Sequence, residues 1–145
     1  MVVFVRRLAL IGSVALAGVT LAGCGTSTVT TSSFTGPARS VAQTISDFQN
    51  DGETHNDSKL CEQDLATAIV DKLASPGRTC ATVISKQLNE VDTFDLSLVT
   101  VRVNDATSPP TATARVKDTR NGVSHMDTLT LVKEGSRWKI SGLIG

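Results

Sequence analysis

The chain of 145 residues contains no Tyr, and aromatic residues make up only 3% of it. Its 14 basic and 14 acidic side chains leave no net charge. Nucleic-acid-binding proteins rely on a basic surface and on aromatic side chains that stack on bases, so this composition argues against a nucleic-acid partner. The hydrophobic content of 40% argues against a wholly disordered chain, and the length suits one small domain.

Common catalytic and metal-binding motifs are also missing. The sequence has no G-x-S-x-G turn, no glycine-rich phosphate loop and no zinc spacing of Cys and His. Acidic and His side chains recur at alternate positions in one stretch: Asp51, Glu53, His55 and Asp57. This stretch lacks the Gly and the closing Glu of a calcium loop, so we interpret it as a solvated loop before a helix. We expect neither a metal nor a cofactor.

The composition is least even at the amino end of the chain. Arg6 and Arg7 precede an apolar run that is too short for a permanent transmembrane helix. The run closes on Leu-Ala-Gly-Cys at residues 21–24, which resembles the lipobox of bacterial lipoproteins. The resemblance implies that residues 1–23 are a removed signal peptide, with diacylglycerol on the Cys24 sulfur and a further acyl group, such as palmitate, on the new amino terminus. The alternative is that Cys24 falls by chance in an uncleaved anchor.

Removal of the signal peptide leaves 122 residues with a net charge of −2. Each acyl CH₂ buried in lipid contributes about 0.8 kcal/mol, so two or three chains anchor a protein durably. We therefore expect a protein anchored by lipid to the extracytoplasmic face of the cell membrane. Residues 24–36 are rich in Thr, Ser and Gly, which predicts a flexible spacer before a folded domain over residues 37–145.

Three helices are predicted at the start of this domain. The first covers residues 37–50 and should end at the Asn-Asp-Gly of residues 50–52. The second begins after an N-cap at residues 57–58 and ends at the Ser-Pro-Gly of residues 75–77, and the third begins at Thr79. Apolar side chains at helical spacing support these helices: Ala38, Val41, Ile45 and Phe48; Cys61, Leu65, Ile69 and Leu73; Val83, Ile84, Leu88 and Val91.

From Phe94 the apolar period changes to two, which is typical of strands. Leu96 and Leu98 share one parity, whereas Val101 and Val103 have the other, so we predict a bulge in mid-strand.

Three more strands follow, with turns predicted at residues 118–122 and 134–136. Their inward side chains are predicted to be Ala112, Ala114 and Val116; Val123, Leu129 and Leu131; Trp138 and Ile140. Helices followed by a bent antiparallel meander predict an α+β domain with the helices on one face of a curved sheet.

Over residues 37–145 the sequence resembles the nuclear transport factor 2-like superfamily. The similarity lies in the opening helix with residues 50–52, in Cys61 and Cys80, and in residues 137–143, which look like the end of small actinobacterial lipoproteins of this type. The resemblance implies a cone in which the helices and the curved sheet enclose a ligand cavity. A cystatin-like domain is the nearest structural alternative, but three helices before the sheet favour the nuclear transport factor 2-like fold.

Cys61 and Cys80 are the thiols that remain if Cys24 is lipidated, in a compartment where disulfides persist, so we expect them to pair. A redox pair and a metal site are the alternatives. A disulfide requires Cα atoms within about 4.4–6.8 Å, whereas an antiparallel helix hairpin holds two helix starts apart. We therefore predict that Cys61 lies in a separate short turn or that residues 74–79 run back along the preceding helix.

Side chains that face the implied cavity are the candidate functional residues. His125 and Asp127 share parity with Leu129, and a His beside an Asp can act as a base with its orienting partner. The alternative is that both meet water near the end of the strand. Four bulky side chains are candidates to line the pocket, or else belong to the core: Phe48, Phe94, Met126 and Trp138.

The absence of Tyr argues against the chemistry of the ketosteroid isomerase relatives, which use an Asp base and a Tyr donor. We favour a noncatalytic lipoprotein that binds an envelope protein or a small apolar ligand. The alternatives are a small hydrolase, isomerase or dehydratase of the same fold that uses His125 and Asp127, and an immunity or inhibitor factor for an envelope enzyme.

Overall fold

A computed structural model describes residues 29–91, 94–120 and 122–144. The predicted signal peptide, Cys24 and the first residues of the predicted spacer lie outside these ranges. Val29, within the predicted spacer, is buried in the hydrophobic core. The packed part of the chain therefore begins before the domain boundary predicted at residue 37.

Helices come first and strands follow. The helices are α1 (Gly36–Glu53), α2 (Asp57–Lys59), α3 (Thr67–Leu73) and α4 (Cys80–Leu88), with a π-helical turn (Leu60–Asp64) after α2. The strands are β1 (Leu96–Asn104), β2 (Thr111–Arg120), β3 (Val123–Glu134) and β4 (Arg137–Ile144). Each strand pairs antiparallel with the next, in the order β1-β2-β3-β4. The predicted α+β class, with helices packed against a curved antiparallel sheet, is confirmed.

Helix α1 begins with Pro at its first turn, where the fixed φ of Pro is favourable. It continues through residues 50–52, so the helix end predicted there is wrong. Gly52 is helical, and a Cβ at this position would lie 2.6 Å from Cδ1 and Cε1 of Phe94. Gly52 thus permits the close approach of an aromatic ring, and the chain turns only later, at His55, which has φ 51°.

The long second helix predicted from residue 57 onward is also wrong, because α2, the π-helical turn and α3 replace it. Between the turn and α3, Leu65 and Ala66 are extended, with ψ of 140° and 147°. The backbone N–H of Ala66 donates to the carbonyl oxygen of Ile140 at 2.8 Å. A bridge to β4 therefore interrupts the helix, although apolar residues of this segment still pack into the core.

Cys61 and Cys80 form a disulfide with a Cα–Cα distance of 6.1 Å, as predicted. Cys61 lies in the π-helical turn, which corresponds to the first of the two predicted arrangements, a separate short turn. Cys80 is the first residue of α4 and directly follows the N-cap Thr79, which forms a capping box with Thr82. The disulfide thus joins the π-helical turn to the first residue of α4.

Two bulges shape the sheet. In β1 the register shifts between Leu98 and Thr100, and the extra residue, Val99, is 47% exposed. The bulge returns Val101 to the face of Leu98, which confirms the predicted reversal of parity. A second bulge lies where β3 pairs with β4, between Thr130 and Leu131.

The turn predicted at residues 118–122 begins too early. Strand β2 continues to Arg120, and Asp118 pairs with Leu96 on one side and His125 on the other. Asp118 is buried, on the same face as Val116. A carboxylate therefore belongs to the inner face of the sheet.

No helix in the described ranges has both the length and the apolar character needed to cross a bilayer.

Candidate functional site

An apolar cavity of about 430 Å³ lies between the helices and the sheet. The helical side is formed mainly by Phe48, Leu60, Ile69, Ile84 and Leu88. The sheet side is formed mainly by Leu96, Val116, Leu129, Ile140 and Leu143. Small-molecule sites typically enclose about 300–1,000 Å³ and are mostly apolar, so the cavity has the size and the lining of such a site.

The two Phe side chains form one wall. Their rings meet edge to face, with centroids 5.3 Å apart and an interplanar angle of 69°. Such pairs contribute about 0.5–1.5 kcal/mol beyond their burial. Phe94 also packs on the backbone of α1 at Gly52, so both the ring of Phe48 and the helix backbone fix its position.

Three carboxylates line the same cavity: Asp95, Asp118 and Asp127. The strand register brings them to one region, because Asp118 pairs with Leu96, the residue after Asp95, and Asp127 pairs with Val116. The cavity therefore combines an apolar body with an acidic end. A ligand that fits it needs a large apolar surface, and polar groups are accommodated at that end.

The predicted pair of His125 and Asp127 is divided by the cavity boundary. Asp127 is half-buried and lines the cavity. His125 is exposed, pairs across the sheet with Asp118 and is not among the lining residues. The predicted base thus meets water, as in the alternative interpretation.

The four predicted lining residues also separate. Phe48 and Phe94 line the apolar cavity. Met126 is 47% exposed and outside the cavity, because its parity is opposite to that of Leu129, so its predicted position is wrong. Trp138 is buried in the core and borders a second pocket instead.

This second pocket, of about 480 Å³, is polar and shares no lining residue with the first. It lies among α1, α2, the π-helical turn and β4. Its charged lining residues are Asp47, Asp51, Lys59, Asp64 and Arg137. Hydroxyl and amide side chains complete the lining and include Ser40, Thr44 and Gln63.

Two of these carboxyl groups are buried together. Asp51 is 5% exposed and Asp64 is 3% exposed, and their side chains share a hydrogen bond. Burial, followed by the negative charges of Asp51 and Asp47, raises the pKa of Asp64 from 3.8 to about 7, while Lys59 acts in the opposite direction. Asp64 is therefore mostly protonated below about pH 7 and mostly ionised above it.

Sequence reasoning missed this pair. It assigned Asp51 to a solvated loop, whereas Asp51 lies in α1, and it did not consider Asp64. One signal was present, because Asp47 and Asp51 stand four residues apart and like charges at this spacing repel on a helix. The contribution of Asp64 depends on the π-helical turn, which no apolar period predicts.

Within the described ranges, no group of three or more His, Cys, Asp or Glu side chains has an arrangement that would hold a metal ion.

No protein-family model and no curated protein matches the chain. Among solved structures, the chain is similar to a designed NTF2-like protein, Rd1NTF2_05 with five substitutions. The two sequences are 16% identical, the match covers 73% of this chain and 93% of that chain, and the TM-score is 0.43.

Proposed function

We propose that this protein is a noncatalytic cell-envelope lipoprotein with a nuclear transport factor 2-like cone. Its apolar cavity binds a small apolar ligand, and lipid on Cys24 holds it at the extracytoplasmic face of the cell membrane. The observation that carries the binding role is the cavity of about 430 Å³ with its mainly apolar lining. Burial of apolar ligand surface contributes about 25 cal/mol per Å², which favours occupation of such a space.

The rim of the cavity supports entry of a ligand from outside. Val91 and Leu143 line the cavity and are also 40% and 58% exposed. An apolar side chain that belongs to both a cavity and the surface marks an opening between them. A small ligand suits this concave space better than a protein surface, which meets its partner over a broad area.

A noncatalytic role agrees with the position of the candidate base. The exposed His125 lies outside the cavity, so a ligand among the apolar side chains is not in reach of the imidazole as a general base requires.

A cavity-filling variant tests the ligand role. Ile84→Trp places an indole in the cavity from α4, and Lys86→Trp places the same side chain at an exposed position of the same helix. We expect the neutral dye N-phenyl-1-naphthylamine to bind the unaltered protein and Lys86→Trp saturably, and Ile84→Trp at least about tenfold more weakly.

The readout is the rise in dye fluorescence, with circular dichroism to show that both variants fold. Absence of saturable binding to the unaltered protein would reject the ligand role, and so would equal affinity for both Trp variants.

A separate experiment tests the anchor. The full chain and a Cys24→Ala variant are expressed in a bacterium that processes lipoproteins, and membranes are separated from soluble protein. We expect the unaltered chain in the membrane fraction, with a mass increased by acyl groups, and the variant in the soluble fraction. A variant that stays membrane-bound at the unaltered level rejects the lipid anchor without affecting the binding role.

A further inference from the structure

The buried pair of Asp51 and Asp64 is incompletely satisfied by the protein itself. Their carboxyl groups hydrogen-bond to each other, which needs a proton, since two ionised carboxylates offer only acceptors. No donor in the described part of the chain reaches Oδ2 of Asp64, although this atom is buried. Buried acceptors without a donor are costly, and Asp64 lines the polar pocket, so a donor supplied by a molecule in that pocket would stabilise it.

The charged groups that the structure describes around the pair do not supply a donor to Oδ2 of Asp64. From α2, Lys59 places its Nζ 3.8 Å from Oδ1 of Asp51, but its side chain is 52% exposed. From β4, Arg137 donates to Oε1 of Gln63 at 2.9 Å. From α1, Asp47 adds a third carboxylate to the pocket, and it raises the pKa of Asp64.

The pocket offers space next to this pair. Its volume of about 480 Å³ admits a small polar molecule, and hydroxyl and amide groups from Ser40, Thr44 and Gln63 lie in its wall. Carboxylates surrounded by such groups suit a ligand that donates several hydrogen bonds and carries positive charge.

We propose that this polar pocket is a second binding site, and that it takes a small organic cation through a primary ammonium group bound between Asp51 and Asp64. The ammonium donates its N–H groups to both carboxylates and replaces the proton between them. That proton leaves Asp64 for solvent, so one positive charge enters the pair as another leaves. A primary ammonium fits because it is compact and has three donors.

The pKa of Asp64 favours this exchange of a proton for an ammonium group. Because the pKa of Asp64 is about 7, the proton is released at little cost near neutral pH. A bound ammonium favours the ionised pair and therefore lowers the pH at which the pair titrates.

The test uses purified protein and methylammonium chloride as the probe. Carbon NMR of the Asp carboxyl groups follows the titration of the pair with and without the probe. We expect methylammonium to shift the titration midpoint to lower pH in a saturable way. Tetramethylammonium chloride at the same concentration has the same charge but no N–H donor, and we expect it to leave the midpoint unchanged.

Two variants complete the test. Asp64→Asn keeps the side-chain volume and a hydrogen bond to Asp51, and we expect methylammonium to bind it at least about tenfold more weakly. Asp71→Asn removes an exposed carboxylate of α3 and should bind as the unaltered protein does. An equal shift with tetramethylammonium, no shift at all, or unchanged binding to Asp64→Asn would overturn the proposal. Since the apolar cavity shares no lining residue with this pocket, each of these results leaves the ligand role of the cavity standing.

Discussion

A hydrogen in place of a methyl group at position 52 allows the ring of Phe94 to reach the backbone of α1. An added Cβ would stand 2.6 Å from two ring carbons, well inside van der Waals contact. We expect Gly52→Ala to lower the free energy of unfolding by about 1 kcal/mol, because a clash of about 1–3 kcal/mol exceeds a gain of about 1 kcal/mol in helix propensity. Urea unfolding of the variant measures this difference.

The control for this prediction is the same substitution in a Phe94→Ala background. Without the ring, only the helix propensity remains, so Gly52→Ala should become stabilising there. The same loss of stability in both backgrounds would contradict the proposed contact.

The carboxyl group of Asp64 gives stability a particular dependence on pH. Its pKa is about 7 in the folded chain and near 3.8 in an unfolded one, so the folded state binds more protons between these values. The favourable contribution is therefore complete below about pH 4 and is lost as pH rises to about 7. We expect Asp64→Asn to remove this part of the pH dependence and to be more stable than the unaltered protein at pH 8.

Urea unfolding at pH 5 and pH 8 measures both effects, with Asp71→Asn as the matched control at an exposed position. If Asp64→Asn loses as much stability between the two pH values as the control does, the buried pair does not titrate in this range.

Part of the candidate site was within reach of single-residue reasoning. Alternation along β3 placed Asp127 on the inner face, and helical spacing placed Phe48 toward the sheet. Neither pattern indicates which part of a strand the helices cover. His125 and Leu129 therefore have the same predicted parity, although His125 is exposed and Leu129 is buried. Asp51 and Asp64 meet through two separate elements, and such a contact has no period in the sequence.

At the scale of elements, parity was a better guide than helical spacing. The apolar parity reverses between Leu98 and Val101, which has few causes other than an extra residue in the strand. The bulge lies between these two residues. Residues 61–73, by contrast, have apolar side chains at every fourth position, which suits one helix or several short turns over the same core. The backbone hydrogen bond from Ala66 to Ile140 interrupts the helix here, and this hydrogen bond belongs to tertiary structure.

The disulfide holds this interrupted segment together. It closes a loop between residues 19 positions apart, and a loop of that length contributes about 3 kcal/mol in the chain-entropy model. We expect the double variant Cys61→Ser with Cys80→Ser to lose about this amount in free energy of unfolding, measured in urea. The reduced, unaltered protein should match the variant, and equal stability of the oxidised protein and the variant would contradict this role.

At the scale of the whole molecule, two pockets of different chemistry use different faces of the same elements. In α1, Phe48 faces the apolar cavity and Asp51 borders the polar pocket, while β4 contributes Ile140 to one and Arg137 to the other. Because the linings are separate, effects at the two pockets should add.

This separation gives a direct expectation. Ile84→Trp should leave the pH titration of Asp64 unchanged, and Asp64→Asn should leave dye binding unchanged, within about twofold. Carbon NMR and dye fluorescence on both variants measure the two quantities. A change of either site by the other variant would indicate that α1 and β4 transmit a rearrangement between the pockets.

The bond from Ala66 to Ile140 also bears on how the molecule opens. Ala66 is buried and lies directly before α3, but its amide hydrogen is donated to Ile140 in the sheet. Exchange of this hydrogen with solvent requires the segment to leave β4, whereas hydrogens inside α3 exchange when that short helix frays. The rate at which the amide of Ala66 exchanges with deuterium therefore reports the separation of the helices from the sheet, the motion that would expose the apolar cavity along its whole length.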